Sequence, residues 1–235
     1  MNRLLLTSQM IHNRSIADSL AKLLDKPFKE SVVAYIVTSH NAASPGDDKG
    51  WLIDNLNSIY NLGWKKFCMI DIAGLNGLDQ SSWQSAINSA DVIVMGGGAN
   101  FFLSYWLEES GLTQQLPELL KSKVYVGASA GSMLATPSLV TSSDALEEFS
   151  KDNWQVKISE LGPLNRRSDK TLSLVDFLIR PHYAPNESYI NDDLLQKVST
   201  KFATKIYALD DDSAVEVLGD QIRVISEGNW KLFKP

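Results

Sequence analysis

Residues 124–137 read VYVGASAGSMLATP, and their order decides the fold class. Val124, Tyr125 and Val126 have the β-branched and aromatic composition of a strand. Gly127-Ala128-Ser129-Ala130-Gly131 is made of small residues, and a short helix follows until Pro137 ends it. A strand that enters a helix through small residues fits the G-x-S-x-G nucleophile elbow. In that turn Ser129 Oγ is exposed and the amide of Ala130 points to the same side, where the start of the helix adds a favourable dipole. A small-residue turn with a purely structural serine would look the same, so the surrounding chain has to discriminate.

Outward from this segment, short apolar runs recur at Leu4 to Thr7, Val32 to Thr38, Phe67 to Ile72 and Val92 to Met95, with Val124 to Gly127 as the fifth. They read as buried strands. Between them Ser15 to Leu24, Trp51 to Leu62, Ser81 to Asn88 and Phe102 to Leu107 carry apolar residues at helical spacing. Alternating strands and helices, with strands apolar on both faces, predict an α/β fold of three α/β/α layers around a mostly parallel sheet. Ligands then gather beyond the carboxyl ends of the strands. From Thr141 to Lys170 the pattern loosens into a polar stretch, read as loop with a short helix and too long for a routine connection. Order returns with Leu174 to Ile179, a helix over Tyr189 to Phe202 and a strand at Ile206 to Leu209. Ala214 to Leu218 and Gln221 to Ile225 flank Gly219-Asp220 as a C-terminal β-hairpin, and a last strand lies near Trp230 to Phe233. With no repeat or linker, residues 1–235 are expected to form one domain.

Composition narrows the function. At 44% hydrophobic and 21% charged residues the chain can bury a core. Acidic residues outnumber basic ones 28 to 22, for a net charge of -6, which disfavours a nucleic-acid partner. The run Leu4 to Leu6 is too short for a signal peptide, and no stretch approaches the ~20 apolar residues of a membrane helix. One cysteine, Cys68, rules out an internal disulfide and a cysteine-built zinc site, so a cytoplasmic location is expected. Cys68 itself reads as a small buried apolar residue. No metal or organic cofactor is implied.

The remaining chemistry is that of a nucleophilic serine. A second strand runs into glycines at DVIVMGGGANFF, residues 91–102. Gly96 to Gly98 could cradle a phosphate, supply a second oxyanion amide beside Ser129, or merely allow tight packing. Histidine is the usual base. His12 and His40 read as surface or loop residues, whereas His182, between Pro181 and Pro185, best fits a base held rigidly at a strand end. The base needs an acid to hold its tautomer. Asp144 lies fifteen residues beyond Ser129, but Ser142, Ser143 and Asp144 also read as N-caps. Asp210, Asp211 and Asp212 follow the strand at Ile206 to Leu209, on the edge where ligands bind.

Taken together, RLLLTS, VAYIVTS, ADVIVMGGGANFF, VGASAGSMLATPS, IRPHY and ALDDDSAVEV resemble, in order and spacing, the serine peptidase family of dipeptidase E (α-aspartyl dipeptidase) and cyanophycinase. The resemblance spans nearly the whole chain. It implies a flavodoxin-like, class I glutamine amidotransferase-like fold, with Ser129 as nucleophile, His182 as base and the amides of Gly98 and Ala130 as oxyanion hole. It offers two acids, Asp211 from the cyanophycinase-like sequences and Asp144 from the aspartate downstream of the nucleophile. Asp211 is preferred as orienter because it follows a strand end, and Asp144 is the alternative. Dipeptidase E members also carry an arginine after the histidine that is thought to hold the substrate's aspartyl carboxylate. Tyr183 to Lys197 contains none, and Arg166, Arg167 and Arg180 are the substitutes available. The expected function is that of a serine-type peptidase cleaving a peptide or isopeptide bond in a small substrate, as a monomer or homodimer. The alternatives are a non-catalytic ligand-binding or regulatory protein on the same scaffold and, more weakly, a nucleotide-binding protein using Gly96 to Gly98.

Overall fold

The computed structural model describes residues 2–43, 46, 48–73, 81–161, 166–186 and 189–235. The early apolar runs are strands β1 (Arg3–Thr7), β2 (Val32–Ile36), β3 (Lys66–Ile70), β4 (Val92–Met95) and β5 (Val124–Ala128). Between them lie α1 (Arg14–Leu24), α2 (Thr38–Ala42), α3 (Gly50–Tyr60), α4 (Ser81–Ser89), α5 (Asn100–Glu109) and α6 (Leu112–Leu119). Then follow α7 (Ala130–Leu134), α8 (Ser143–Ser150), β6 (Leu178–Arg180), α9 (Asp192–Lys201), β7 (Ile206–Leu209), β8 (Ser213–Leu218), β9 (Gln221–Ser226) and β10 (Trp230–Phe233).

Seven strands form the main sheet in the order β3-β2-β4-β5-β1-β8-β9. The pairs from β3 to β1 are parallel, and the β8–β9 hairpin extends the sheet antiparallel from β1. This is the expected large, mostly parallel sheet. Successive strand residues face opposite sides, so each strand feeds two cores. Leu4, Leu6, Ala34, Ile36, Ile93, Met95 and Tyr125 pack on one face with Phe101, Leu103, Trp106 and Leu107 of α5. Leu5, Val33, Tyr35, Val92, Val94, Val124 and Val126 pack on the other with Ile16, Leu20, Leu23 and Leu24 of α1. Burying a Leu or Val side chain in either layer contributes roughly 1.5–3 kcal/mol before conformational entropy is counted. The side chain of Asn13 caps α1 by accepting the Ile16 N–H at 3.0 Å.

Elsewhere the structure departs from the sequence reading. β6, β7 and β10 make a separate three-stranded sheet, β7 running parallel to β6 and antiparallel to β10. A third core closes it against α8 and α9 through Leu146, Phe149, Leu194, Leu195, Val198, Ile206 and Phe233. The run Leu174 to Ile179 becomes a strand only at Leu178, because the Leu174 and Val175 amides are used on Ala135 O. β2 ends at Ile36, and Thr38 opens α2 instead of continuing the strand. Pro117 lies inside α6, where a proline ordinarily ends a helix, so composition conceals that element. Within Thr141 to Lys170 the chain forms α8 and a 3-10 turn at Ile158–Glu160, and residues 162–165 lie outside the described residues. Cys68 is half-buried on the edge strand β3 rather than fully buried.

Candidate active site

The elbow is held by backbone and buried hydroxyls. Ser129 takes φ 47° and ψ -104°, a conformation that non-glycine residues adopt only when their surroundings impose it. Its N–H donates to Thr7 O at 3.1 Å, and its own carbonyl accepts from Met133 N at 3.0 Å. Ser132 Oγ reaches Thr7 O at 2.7 Å and Gly127 O at 2.8 Å, and Tyr125 OH donates to Gly131 O at 2.7 Å. Gly131 allows α7 to lie directly on β4, since a Cβ there would run into Met95 O.

His182 follows β6 and, at φ 54°, also has a left-handed backbone. Its Nε2 lies 2.9 Å from Ser129 Oγ and its Nδ1 lies 2.6 Å from Asp211 Oδ1. Because an ionised carboxylate only accepts, Nδ1 carries the proton, and Nε2 is left to accept the Ser129 O–H. Burial works against the charge on Asp211, but hydrogen bonds from His182 and Ser8 and the nearby His182 and His12 hold its carboxyl below the usual range. Asp211 therefore stays ionised at neutral pH and can stabilise an imidazolium. These contacts join three segments that are 53 and 29 residues apart in sequence.

The glycine loop after β4 lies beside the serine: a Cβ on Gly97 would be 3.3 Å from Ser129 Cβ. Gly98 takes φ 117°, and a Cβ there would be 2.5 Å from Ser39 O, which already accepts the Ala99 N–H at 3.1 Å. Only glycine fits. Gly98, Ala130, Ser129, His182 and Asp211 all line one cavity of about 580 Å³ at the carboxyl ends of the strands.

Of the other histidines, exposed His12 bonds Asn55 Oδ1 at 2.8 Å. His40, expected in a polar loop, is instead buried on α2, where its Nε2 pairs with Tyr35 OH at 3.0 Å. Burial, with the charge of Lys49 adding to it and the Gly97 backbone opposing, pushes its pKa down to about 4. Asp144 is in the first turn of α8, capped by Ser142 accepting the Ala145 N–H at 3.2 Å. It lines the cavity, while Nδ1 of His182 is engaged by Asp211. Burial, and then repulsion from Glu147, raises the Asp144 pKa. Arg167 and Arg180 also line the cavity, whereas Arg166 lies over the Trp106 ring at 5.3 Å. Arg180 is 5% exposed and donates from Nη1 to Ser143 Oγ at 3.1 Å. Sequence reasoning assigned nothing to Ser8, which contacts both Asp211 and the His182 amide. The signal lay in the RLLLTS strand, whose last residue must emerge at the ligand-binding edge. Among the described residues, no group of three or more His, Cys, Asp or Glu is gathered to hold a metal.

Comparison with known proteins places the chain in a family. The family model for peptidase family S51 matches residues 4–225. A Streptomyces coelicolor peptidase E is 24% identical over 100% of this chain and 88% of its own length. A Drosophila melanogaster protein named probable alpha-aspartyl dipeptidase is 28% identical over 64% of this chain, and that match spans 60% of the relative's length. In fold, the chain is similar to a crystal structure from Listeria monocytogenes EGD-e named for peptidase E, with TM-score 0.69 and 22% identity over 97% of this chain and 100% of that one. A peptidase from an acI-B1 Actinobacterium aligns with TM-score 0.70 and 16% identity over 100% and 91%. With a family model matched from the first strand to the C-terminal hairpin, the chain belongs to peptidase family S51, the serine peptidases that include the peptidase E proteins.

Proposed function

We propose that this protein hydrolyses a peptide or isopeptide bond in a short substrate through an acyl-enzyme on Ser129. The observation that carries the reading is the chain of 2.9 Å and 2.6 Å contacts linking Ser129, His182 and Asp211. Ser129 Oγ attacks the carbonyl carbon while His182 Nε2 takes its proton, with Asp211 steadying the imidazolium. The amides of Gly98 and Ala130 receive the oxyanion. On collapse, His182 returns the proton to the leaving amine. Water then attacks the acyl carbonyl, and the same histidine takes its proton and restores Ser129.

An acidic peptide is the substrate best supported. Arg180 and Arg167 bring positive charge to the cavity in place of the arginine missing from Tyr183 to Lys197, and one relative is named for α-aspartyl dipeptides. Asp144, which also lines the cavity, suits a substrate's ammonium group. One hydrolytic domain and a cytoplasmic location complete the proposal, in keeping with a continuous family match and a single cysteine. The family membership does not favour the non-catalytic alternative.

The test is mass spectrometry of the intact protein after exposure to a fluorophosphonate probe. A single adduct is expected on the wild type and none on Ser129→Ala. An adduct retained by the variant would overturn the assignment.

A further inference from the structure

Ser8, the first residue after β1, touches two of the three candidate catalytic residues without lining the cavity. It is fully buried. Its Oγ accepts the backbone N–H of His182 at 2.7 Å and donates to Asp211 Oδ1 at 3.0 Å. A hydroxyl has one proton to give, and here that proton goes to the oxygen that also accepts His182 Nδ1–H at 2.6 Å. The contacts form a closed ring from Ser8 to Asp211, through the imidazole to the His182 backbone, and back to Ser8.

The ring has a mechanical role. His182 has φ 54°, so its turn is held against the intrinsic preference of an L residue, and its own amide is tied to Ser8 Oγ. The end of β1 serves the nucleophile as well, because Thr7 O accepts the Ser129 N–H and the Ser132 hydroxyl. Ser8 is itself anchored, its N–H donating to Ser213 O at 3.1 Å. Thr7, the last residue of β1, and Ser8, the residue after it, thus locate the serine on one side and the histidine–aspartate pair on the other. We infer that Ser8 is a positioning residue that acts through Asp211 and the His182 backbone to hold the imidazole in register with Ser129. The inference rests on the proposed roles of those three residues.

Its test is a double-mutant cycle read by fluorophosphonate inactivation, with wild type, Ser8→Ala, Asp211→Ala, the double variant and Ser129→Ala followed by intact mass. Ser8→Ala is expected to lower the maximal inactivation rate about 10- to 100-fold, the scale of a hydrogen bond to a charged group. The probe's half-saturation concentration should stay within about twofold, because Ser8 lies behind the cavity wall. In the Asp211→Ala background the further loss should fall below about threefold, since residues acting as a unit are not additive. An undiminished rate, equal losses in both backgrounds, or a loss confined to half-saturation would overturn the inference. Should Ser8→Ala fail to fold, Ser8→Cys, with a weaker donor and acceptor, takes its place with an intermediate loss expected. Labelling of Ser129→Ala would instead refute the underlying site assignment, so the two failures are distinguishable.

Discussion

Acid should weaken the fold through His40 before it reaches the carboxylates. His40 is 3% exposed, enclosed by Tyr35, the Trp51 ring at 5.4 Å between centroids and the backbone of Gly96. Its pKa falls from 6.5 to about 4 on folding, mainly by burial. The unfolded chain therefore binds the proton first, and stability is fully present above pH 6.5 and lost progressively as pH falls toward 4. At about 1.4 kcal/mol per pH unit the whole interval withdraws about 3 kcal/mol, and the part between pH 7 and pH 5 about 2 kcal/mol. That is a large share of an ordinary domain's stability. Urea unfolding at pH 7, 6 and 5, for wild type and His40→Gln, measures it. The variant should be less stable at pH 7 but lose about 2 kcal/mol less on acidification. Equal pH dependence in the two proteins would refute the idea that His40 is kept neutral. Because Ser39 and His40 support Gly96 to Gly98, amide exchange at Ala99 should quicken over the same pH interval.

Three further outcomes follow from the site. Asp211→Asn should reduce turnover by about 10³- to 10⁴-fold by upsetting the tautomer of His182, while Asp144→Asn keeps fluorophosphonate labelling within about threefold. The reverse ranking would make Asp144 the acid. Gly98→Ala, forced into φ 117° with its Cβ on Ser39 O, should cost about 10²-fold or more in turnover through a displaced oxyanion amide, which wild-type kinetics would contradict. Arg180→Gln should raise KM for acidic peptides about tenfold or more while sparing neutral ones and Ser129 labelling, as expected when a charged hydrogen bond is lost. Equal effects on both peptide classes would remove Arg180 from substrate recognition.

Where sequence reasoning succeeded, the interactions were local. The short continuous apolar runs of β1, β2, β4 and β5 identify strands without knowledge of their neighbours, and the turn into α7 is written in five consecutive small residues. His182 stood out because prolines bracket it. Where it fell short, the deciding partners were distant or the local pattern pointed elsewhere. Thr38, Ser39 and His40 have the polarity of a loop, yet they are buried on a helix because β2 delivers them beneath the glycine loop. β6, β7 and β10 have ordinary strand composition, and nothing in it says that they leave the main sheet for one of their own.

By itself, then, the sequence determined the α/β class, the elbow serine, the histidine and a short set of candidate acids, because hydrophobic period and turn chemistry depend on residues within a few positions. Only the tertiary structure decided which acid meets the histidine, which arginines reach the cavity and that Ser8 contacts Asp211 and the His182 amide. The Asp211 contact spans 29 residues and those of Ser8 span 174 and 203. Such contacts follow from strand order in the sheet, which no local pattern encodes.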